Sequence, residues 1–147
     1  MRIYLDICCL KRPFDDQLHP RIAAETAAIL GILAQVESRR IEAVCSPAHL
    51  FENSLNPDVQ RAAAVHEWVA GRVSSSVPGS GVEVEFARLR GCGLGQFDAL
   101  HVAWACALKC HVFISVDDRL LSRGARALGS GAMRVLGPME FVKEVSR

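Results

Sequence analysis

Acidic side chains occur at four points where an apolar stretch of the sequence ends or begins. Asp6 lies near the end of the apolar run RIYLDIC, and Asp117 follows the run HVFISV. Glu52 lies in a stretch that reads as a short helix, and Asp98 opens a long apolar helix. Carboxylates that share a cleft raise one another's pKa unless a cation lies between them. Since carboxylate oxygens are ligands that suit Mg²⁺ and Mn²⁺, these four residues are candidate metal ligands.

A divalent ion at such a site would serve phosphodiester chemistry. It would polarise a phosphoryl oxygen and activate a water molecule, and a pair of ions would stabilise both the attacking and the leaving oxygen. Three of the acids also have plain structural interpretations. Asp98 and Asp117 suit helix starts, where a carboxylate accepts from free N–H groups, and Glu52 suits a solvated helix surface. Asp6 is harder to explain without a function, because the residues around it read as buried.

Basic side chains follow the first and the last of these acids. Lys11 and Arg12 come shortly after the first, and Arg119 and Arg123 come shortly after the last. Cations at these places suit contacts with a phosphate backbone, although solubility or contacts with a partner explain them equally well. His101 lies one helical turn after the helix-opening acid. We expect it to be packed or hydrogen-bonded rather than to act as a general base.

The elements that must position these residues alternate between strands and helices. Apolar runs predict strands at 2–8, 41–45 and 111–116, and a short strand before the last helix. This order predicts an α/β fold: a single domain over 1–147 with a central, mostly parallel sheet flanked by helices. Ligands of such sheets bind beyond the carboxyl ends of the strands, which would bring the four acids together. Helices are predicted at 21–38, 46–55, 58–73, 82–90, 95–108, 117–128 and from 138, with a loop at 74–81. The first of these helices should bury one apolar face, made of Ile22, Thr26, Ile29, Leu30, Leu33 and Val36.

Composition limits the alternatives without selecting a function. The chain has 147 residues, half of them hydrophobic, so a sizeable core is available. A formal net charge of +1 argues neither for nor against a nucleic-acid partner. No signal peptide or membrane-spanning stretch is recognisable, and we expect a cytoplasmic protein without a membrane partner. The six cysteines are therefore expected to be free thiols that pack as small hydrophobes, with a zinc site as the alternative.

Four segments in order resemble PIN-domain proteins, the family of VapC-type toxin ribonucleases. They are YLDICCLKRPFDDQ, SPAHLFENSLNP, FDALHVAWA and FISVDDRLL, of which the Asp-Ala-Leu-His stretch is the most specific. The resemblance implies a PIN-like α/β domain with a central parallel sheet. It also implies a metal-dependent ribonuclease site made of Asp6, Glu52, Asp98 and Asp117, with Ser115 as a supporting hydroxyl.

The resemblance further implies Mg²⁺ or Mn²⁺ as cofactor, RNA as substrate, a small antitoxin protein as partner and a homodimer. One position departs from the family pattern, because Ile7 follows the first acid where the family usually has a polar residue. A catalytically weak or inactive PIN-fold binding module is therefore the main alternative. A phosphoryl-transfer enzyme with Asp6 as nucleophile is a further one. The second Asp that haloacid-dehalogenase-like enzymes carry two residues on is replaced here by Cys8.

Overall fold

A four-stranded parallel sheet lies at the centre of the protein. The computed structural model describes residues 1–74 and 79–147, and the side chains of residues 79 and 80 are not described. The strands run in the order β2-β1-β3-β4, and every pair is parallel. The α/β fold with a central parallel sheet is thereby confirmed. The strands are β1 (Arg2–Leu5), β2 (Glu42–Ala43), β3 (Val112–Ile114) and β4 (Arg134–Leu136).

Helices cover both faces of the sheet because the two central strands bury side chains on both sides. Ile3 and Leu5 of β1 enter one hydrophobic core, whereas Tyr4 enters the other. Tyr4 is paired in register with Phe113 of β3, and the two rings stack with centroids 5.3 Å apart. This alternation follows from the two-residue period of a strand. It explains why the central strands read as continuous apolar runs.

The helices divide between the two cores. The core that holds Ile3 is covered by α1, α2, α4 and α8, and the core that holds Tyr4 is covered by α5, α6 and α7. Among the described residues, no helix has both the length and the apolar character that crossing a bilayer requires. The bounds are α1 (Ile7–Lys11), α2 (Pro20–Glu37), α3 (Pro47–Ser54), α4 (Val59–Ala70), α5 (Gly79–Gly91), α6 (Gln96–Ala107), α7 (Asp118–Leu128) and α8 (Pro138–Val145).

Several predicted boundaries were wrong. The first strand stops at Leu5, because Asp6 is the N-cap of helix α1 and the backbone becomes helical at Ile7. The expected loop after it contains a short 3-10 helix, Arg12–Phe14. Helix α5 begins at Gly79 rather than near 82, and residues 75–78 of the predicted loop at 74–81 lie outside the described residues.

Helix α2 was predicted to bury Leu30, and this was wrong. Leu30 is 52% exposed, whereas Ile32 is fully buried in the core. The remaining apolar positions fit better, since Thr26, Ile29 and Val36 are buried. Helical spacing locates an apolar stripe, but the elements packed against the helix decide which edge of that stripe is covered.

The cysteines are free thiols, as expected. Burial raises the pKa of Cys45 and of Cys110 to about 12, so both keep their protons at neutral pH. A buried, protonated thiol behaves as a small apolar side chain. These residues therefore act as packing groups.

Two alanine substitutions in α2 test this packing. Ile32→Ala should lower the free energy of unfolding by about 2–5 kcal/mol, because it leaves a cavity in a closed core. Leu30→Ala is the matched control and should change it by about 0.5 kcal/mol or less, since that side chain is half in solvent. Urea denaturation measures both values. Equal losses would contradict the placement of α2.

Candidate active site

The four predicted acids line one cavity at the carboxyl edge of the sheet. Asp6 follows β1, Asp117 lies between β3 and α7, Glu52 belongs to α3, and Asp98 lies in the first turn of α6. The cavity has a volume of about 270 Å³. Residues far apart in the chain thus meet where ligands of parallel sheets bind. The remaining lining residues are Ile7, Cys8, Lys11, Arg12, Asp15 and Val116.

Asp6 is held from both the backbone and the side chain. Its N–H donates to the carbonyl of Ile114 (2.8 Å), which continues the pairing of β1 with β3. Its Oδ2 accepts from the Ser115 hydroxyl (2.8 Å) and from the Cys8 thiol (3.2 Å). Burial raises the pKa of Asp6, and these two hydrogen bonds act in the opposite direction. The carboxylate is therefore oriented before any ligand arrives.

Ser115 connects the first acid to the last. Besides donating to Asp6, its Oγ accepts from the backbone N–H of Asp117 (3.1 Å). Asp117 Oδ1 in turn accepts from the backbone N–H groups of Arg119 (2.9 Å) and Leu120 (3.3 Å), so it caps α7. The capping interpretation of Asp117 is thus correct, and the same side chain also lines the cavity. One oxygen of this carboxylate is used by the helix.

Sequence reasoning missed Cys8. A polar residue usually follows the first acid in PIN-domain proteins, and Ile7 at this position predicted that Asp6 lacks such help. Ile7 is buried in the hydrophobic core. The thiol one residue further on supplies a hydrogen bond to Asp6 instead, and it lies 3.4 Å from the Ser115 hydroxyl. The helical turn at the end of β1 makes this possible, because it brings Cys8 beside the carboxylate. The Cys-Cys pair in the sequence was the available signal.

Asp98 is the acid without a protein partner. No hydrogen bond or ion pair joins its carboxylate to another described residue, although it lies in the first turn of α6. Burial raises the pKa of Asp98 to about 6, and the charges of Asp6, Asp117 and Glu52 add to the effect. Its charge is therefore poorly compensated in the protein alone.

Two buried histidines lie beneath the cavity. The ring of His101 is fully buried, and its Nδ1 lies 2.6 Å from the Tyr4 hydroxyl, which confirms the expected packed, hydrogen-bonded histidine. Its Nε2 lies 3.3 Å from Oε1 of Glu52. The His49 ring packs against that of His101 with centroids 4.9 Å apart. Burial lowers the pKa of His49 to about 3, so this ring is neutral.

The predicted cations differ in their positions. Lys11 lines the cavity and makes no ion pair with any described residue. Arg12 also lines it, but its guanidinium pairs with Asp15 (3.0 Å) and with the buried Glu25 (3.4 Å). Arg119 lies exposed on α7 and outside the cavity lining, which does not support its predicted substrate contact. Lys11 is therefore the cation best placed for a ligand of the cavity.

The donor atoms of the cavity are of the type that a hard divalent ion prefers, but their positions are not those of a formed metal site. The donors are carboxylate oxygens. Asp98 has a raised pKa and no hydrogen-bond or ion-pair partner among the described residues, which marks uncompensated negative charge. Within 1–74 and 79–147, however, no group of three or more His, Cys, Asp or Glu side chains is arranged to hold a metal ion. The donor set thus fits Mg²⁺ or Mn²⁺ in kind, with the side chains not drawn together around one point.

Comparison with known proteins gives no relative for this chain. No protein-family model, no curated protein and no solved structure matches it. The resemblance to PIN-domain proteins consequently depends on the four sequence segments alone.

The raised pKa of Asp98 predicts that Asp98→Asn stabilises the metal-free protein. The native state holds this proton more tightly than the unfolded chain, whose pKa is near 3.8, so the carboxyl costs stability as the pH rises from about 4 to about 6. At pH 7.5 the variant should gain about 1 kcal/mol, after allowance for solvent screening of a half-exposed group. Urea denaturation at pH 7.5 and pH 3.5 measures the gain, which should shrink at the lower pH.

The control is Glu67→Gln, which removes a carboxylate from the exposed surface of α4. It should leave the stability unchanged at both pH values. A gain for Asp98→Asn that is the same at both pH values would contradict the assigned pKa.

Proposed function

We propose that this protein is a Mg²⁺- or Mn²⁺-dependent endoribonuclease with a PIN-like domain. The observation that carries the proposal is the meeting of Asp6, Glu52, Asp98 and Asp117 in one cavity. Four separate parts of the chain supply these acids. For Glu52, Asp98 and Asp117, a helix cap or a solvated helix surface explains the position only in part, because all three also line the cavity. The resemblance of the four sequence segments to VapC-type toxins supports the same activity.

The biological role in the proposal follows the resemblance. We propose a toxin of a toxin–antitoxin pair that acts on RNA in the cytoplasm, is neutralised by a small antitoxin protein and forms a homodimer. The sequence segments named above are the support for this role.

The residues at the cavity would have separate roles in holding the metal ion and in orienting its ligands. Asp6, Asp98, Asp117 and Glu52 would hold the ion through carboxylate oxygens, and Ser115 would keep Asp6 in orientation. A bound ion would supply the polarisation of the phosphodiester and the activation of water.

Lys11 would act on the RNA backbone. Its ammonium group lines the same cavity without an ion pair among the described residues, so it is free to meet a phosphate. Such contacts position a nucleic acid without reading its sequence. Arg12 contributes less, because Asp15 and Glu25 already neutralise it.

A second candidate is a PIN-fold module that binds RNA or protein without cleaving it. The specific observation in its favour is that the described acids are not arranged around one point, while Asp117 is engaged in capping α7. Ile7, which places no polar group beside the first acid, agrees with it. The two candidates differ in whether RNA is cut.

A cleavage assay separates them. Metal-stripped protein receives Mg²⁺ or Mn²⁺ and labelled tRNA, ribosomal RNA fragments or single-stranded DNA. The wild type should cut RNA only with metal, and Asp6→Asn or Asp98→Asn should lower the rate at least about 100-fold, because each removes a direct ligand. Circular dichroism should show both variants folded.

The matched control for this assay is again Glu67→Gln, which should cut at the wild-type rate. Cutting by Asp98→Asn at that rate would exclude the four-acid site. Metal-dependent binding of RNA without cutting would favour the binding module.

Lys11→Ala should weaken RNA binding in a salt-dependent way. The slope of log K against log salt should fall by about 0.7, the value for one phosphate contact on a single strand. Fluorescence anisotropy in chelator, where no cutting occurs, measures it. Lys143→Ala on the exposed surface of α8 removes the same charge outside the cavity and should leave the slope unchanged. Equal slopes for Lys11→Ala and wild type would remove Lys11 from the contact.

A further inference from the structure

Ser46, Tyr4 and His101 form a chain of buried polar side chains that runs from the start of helix α3 to the base of the cavity. The Ser46 hydroxyl lies 2.7 Å from the Tyr4 hydroxyl, which lies 2.6 Å from Nδ1 of His101. All three side chains are fully buried. Ser46 Oγ also accepts from the backbone N–H of Ala48 as the cap of α3. Bulk solvent does not reach these groups, so each hydroxyl is expected to find its hydrogen-bond acceptor within the protein.

The chain satisfies every hydroxyl in only one proton arrangement. If His101 donated from Nδ1 to Tyr4, then Tyr4 would donate to Ser46, whose own proton would have no acceptor among the described residues. A buried hydroxyl without an acceptor is costly. In the opposite direction Ser46 donates to Tyr4, and Tyr4 donates to Nδ1. The proton of a neutral His101 then lies on Nε2.

His49 shows the same tautomer by a separate route. Its Nδ1 accepts from the backbone N–H of Ser46 (3.1 Å), which can only donate. Its Nε2 therefore carries the proton and donates to the carbonyl of Leu5 (2.7 Å). The neighbouring ring of His101 thus faces a fixed, uncharged partner.

The Nε2 atom of His101 lies beside the carboxylate of Glu52 on α3. Nε2 lies 3.3 Å from Oε1 of Glu52, but the two are not aligned for a hydrogen bond, and Nε2 is a buried atom without one. The Glu52 side chain is about one-fifth exposed and lines the cavity. A buried donor without a hydrogen-bond partner among the described residues therefore lies beside a partly exposed carboxylate.

We propose that His101 is a positioning residue for Glu52, with Tyr4 and Ser46 fixing the tautomer that allows it to donate. The inference rests on the proposed function, because it assigns Glu52 to the metal and His101 to Glu52. The connection returns to the helix on which it began, since Ser46 caps α3 and Glu52 lies on α3. Strand β1 and helix α6 supply the two residues between them. The position of the Glu52 carboxylate thereby depends on both β1 and α6.

The tautomer is read directly by ¹⁵N NMR of the histidine side chains in the metal-free protein. His101 should show an unprotonated Nδ1 and a protonated Nε2. Tyr4→Phe removes the donor to Nδ1, so the signal should change to the other tautomer or to a mixture of the two. A proton on Nδ1 of the wild type, or a Tyr4→Phe spectrum equal to that of the wild type, would overturn the proposal.

The effect on Glu52 is read by Mn²⁺ binding, measured by calorimetry without RNA. His101→Asn retains a polar group near Nδ1 and loses the donor near Nε2, so Mn²⁺ affinity should fall about 10- to 100-fold. His101→Gln places an amide N–H near Nε2 and should stay close to the wild type. His66→Asn on the exposed surface of α4 is the control for the substitution itself and should bind as the wild type does.

The outcomes separate this inference from the proposed function. Equal Mn²⁺ affinities for His101→Asn and His101→Gln, both folded by circular dichroism, would overturn the positioning role while leaving the metal site intact. Absence of Mn²⁺ binding by the wild type would contradict the proposed function, and the NMR tautomer would then decide the hydrogen-bond chain alone. A His101→Asn variant that does not fold leaves Tyr4→Phe and His101→Gln to decide.

Discussion

The pairing of β1 with β3 is the interaction on which the candidate site depends. Its last hydrogen bond, from the N–H of Asp6 to the carbonyl of Ile114, places Asp6 directly beside Ser115. Ser115 then accepts from the N–H of Asp117, which caps α7. The carboxyl end of the β1–β3 pairing thus fixes the positions of two acids that are more than a hundred residues apart in the sequence. The acids on α3 and α6 complete the lining, and the two helices pack against each other through the rings of His49 and His101.

The negative charges of the clustered carboxylates explain why these acids need hydrogen bonds or a cation to stay ionised. Burial and like charges both oppose the ionised form of Asp6 and of Asp98. Hydrogen bonds from Ser115 and Cys8 stabilise the ionised form of Asp6, whereas no described residue donates a hydrogen bond to Asp98. The protein therefore keeps one acid oriented and leaves the charge of the other poorly compensated. The proposed divalent-ion site requires this character, because full internal compensation would remove its affinity for the ion.

Much of the fold and the four acids of the cavity could be predicted from the sequence, and hydrogen bonds between distant residues could not. Strand and helix periods indicate local structure, and the edge rule for parallel sheets brings Asp6, Asp98 and Asp117 together. Neither indicates that the Tyr4 hydroxyl lies against His101, 97 residues away in the chain. The prediction for Leu30 failed because burial depends on the neighbouring helix. Arg119 was placed at the site by proximity in sequence, but its side chain is exposed on α7 and does not line the cavity.

The alternation of side chains along β1 sets a limit on how this protein can change over evolutionary time. Tyr4 faces one core, and Ile3 and Leu5 face the other. The insertion or deletion of a single codon within this strand would exchange the two faces. An aliphatic side chain would then replace the tyrosine beside the buried histidines, and the ring would enter the opposite core. Substitutions can adjust the two surfaces one residue at a time, whereas the length of β1 is fixed by both cores at once.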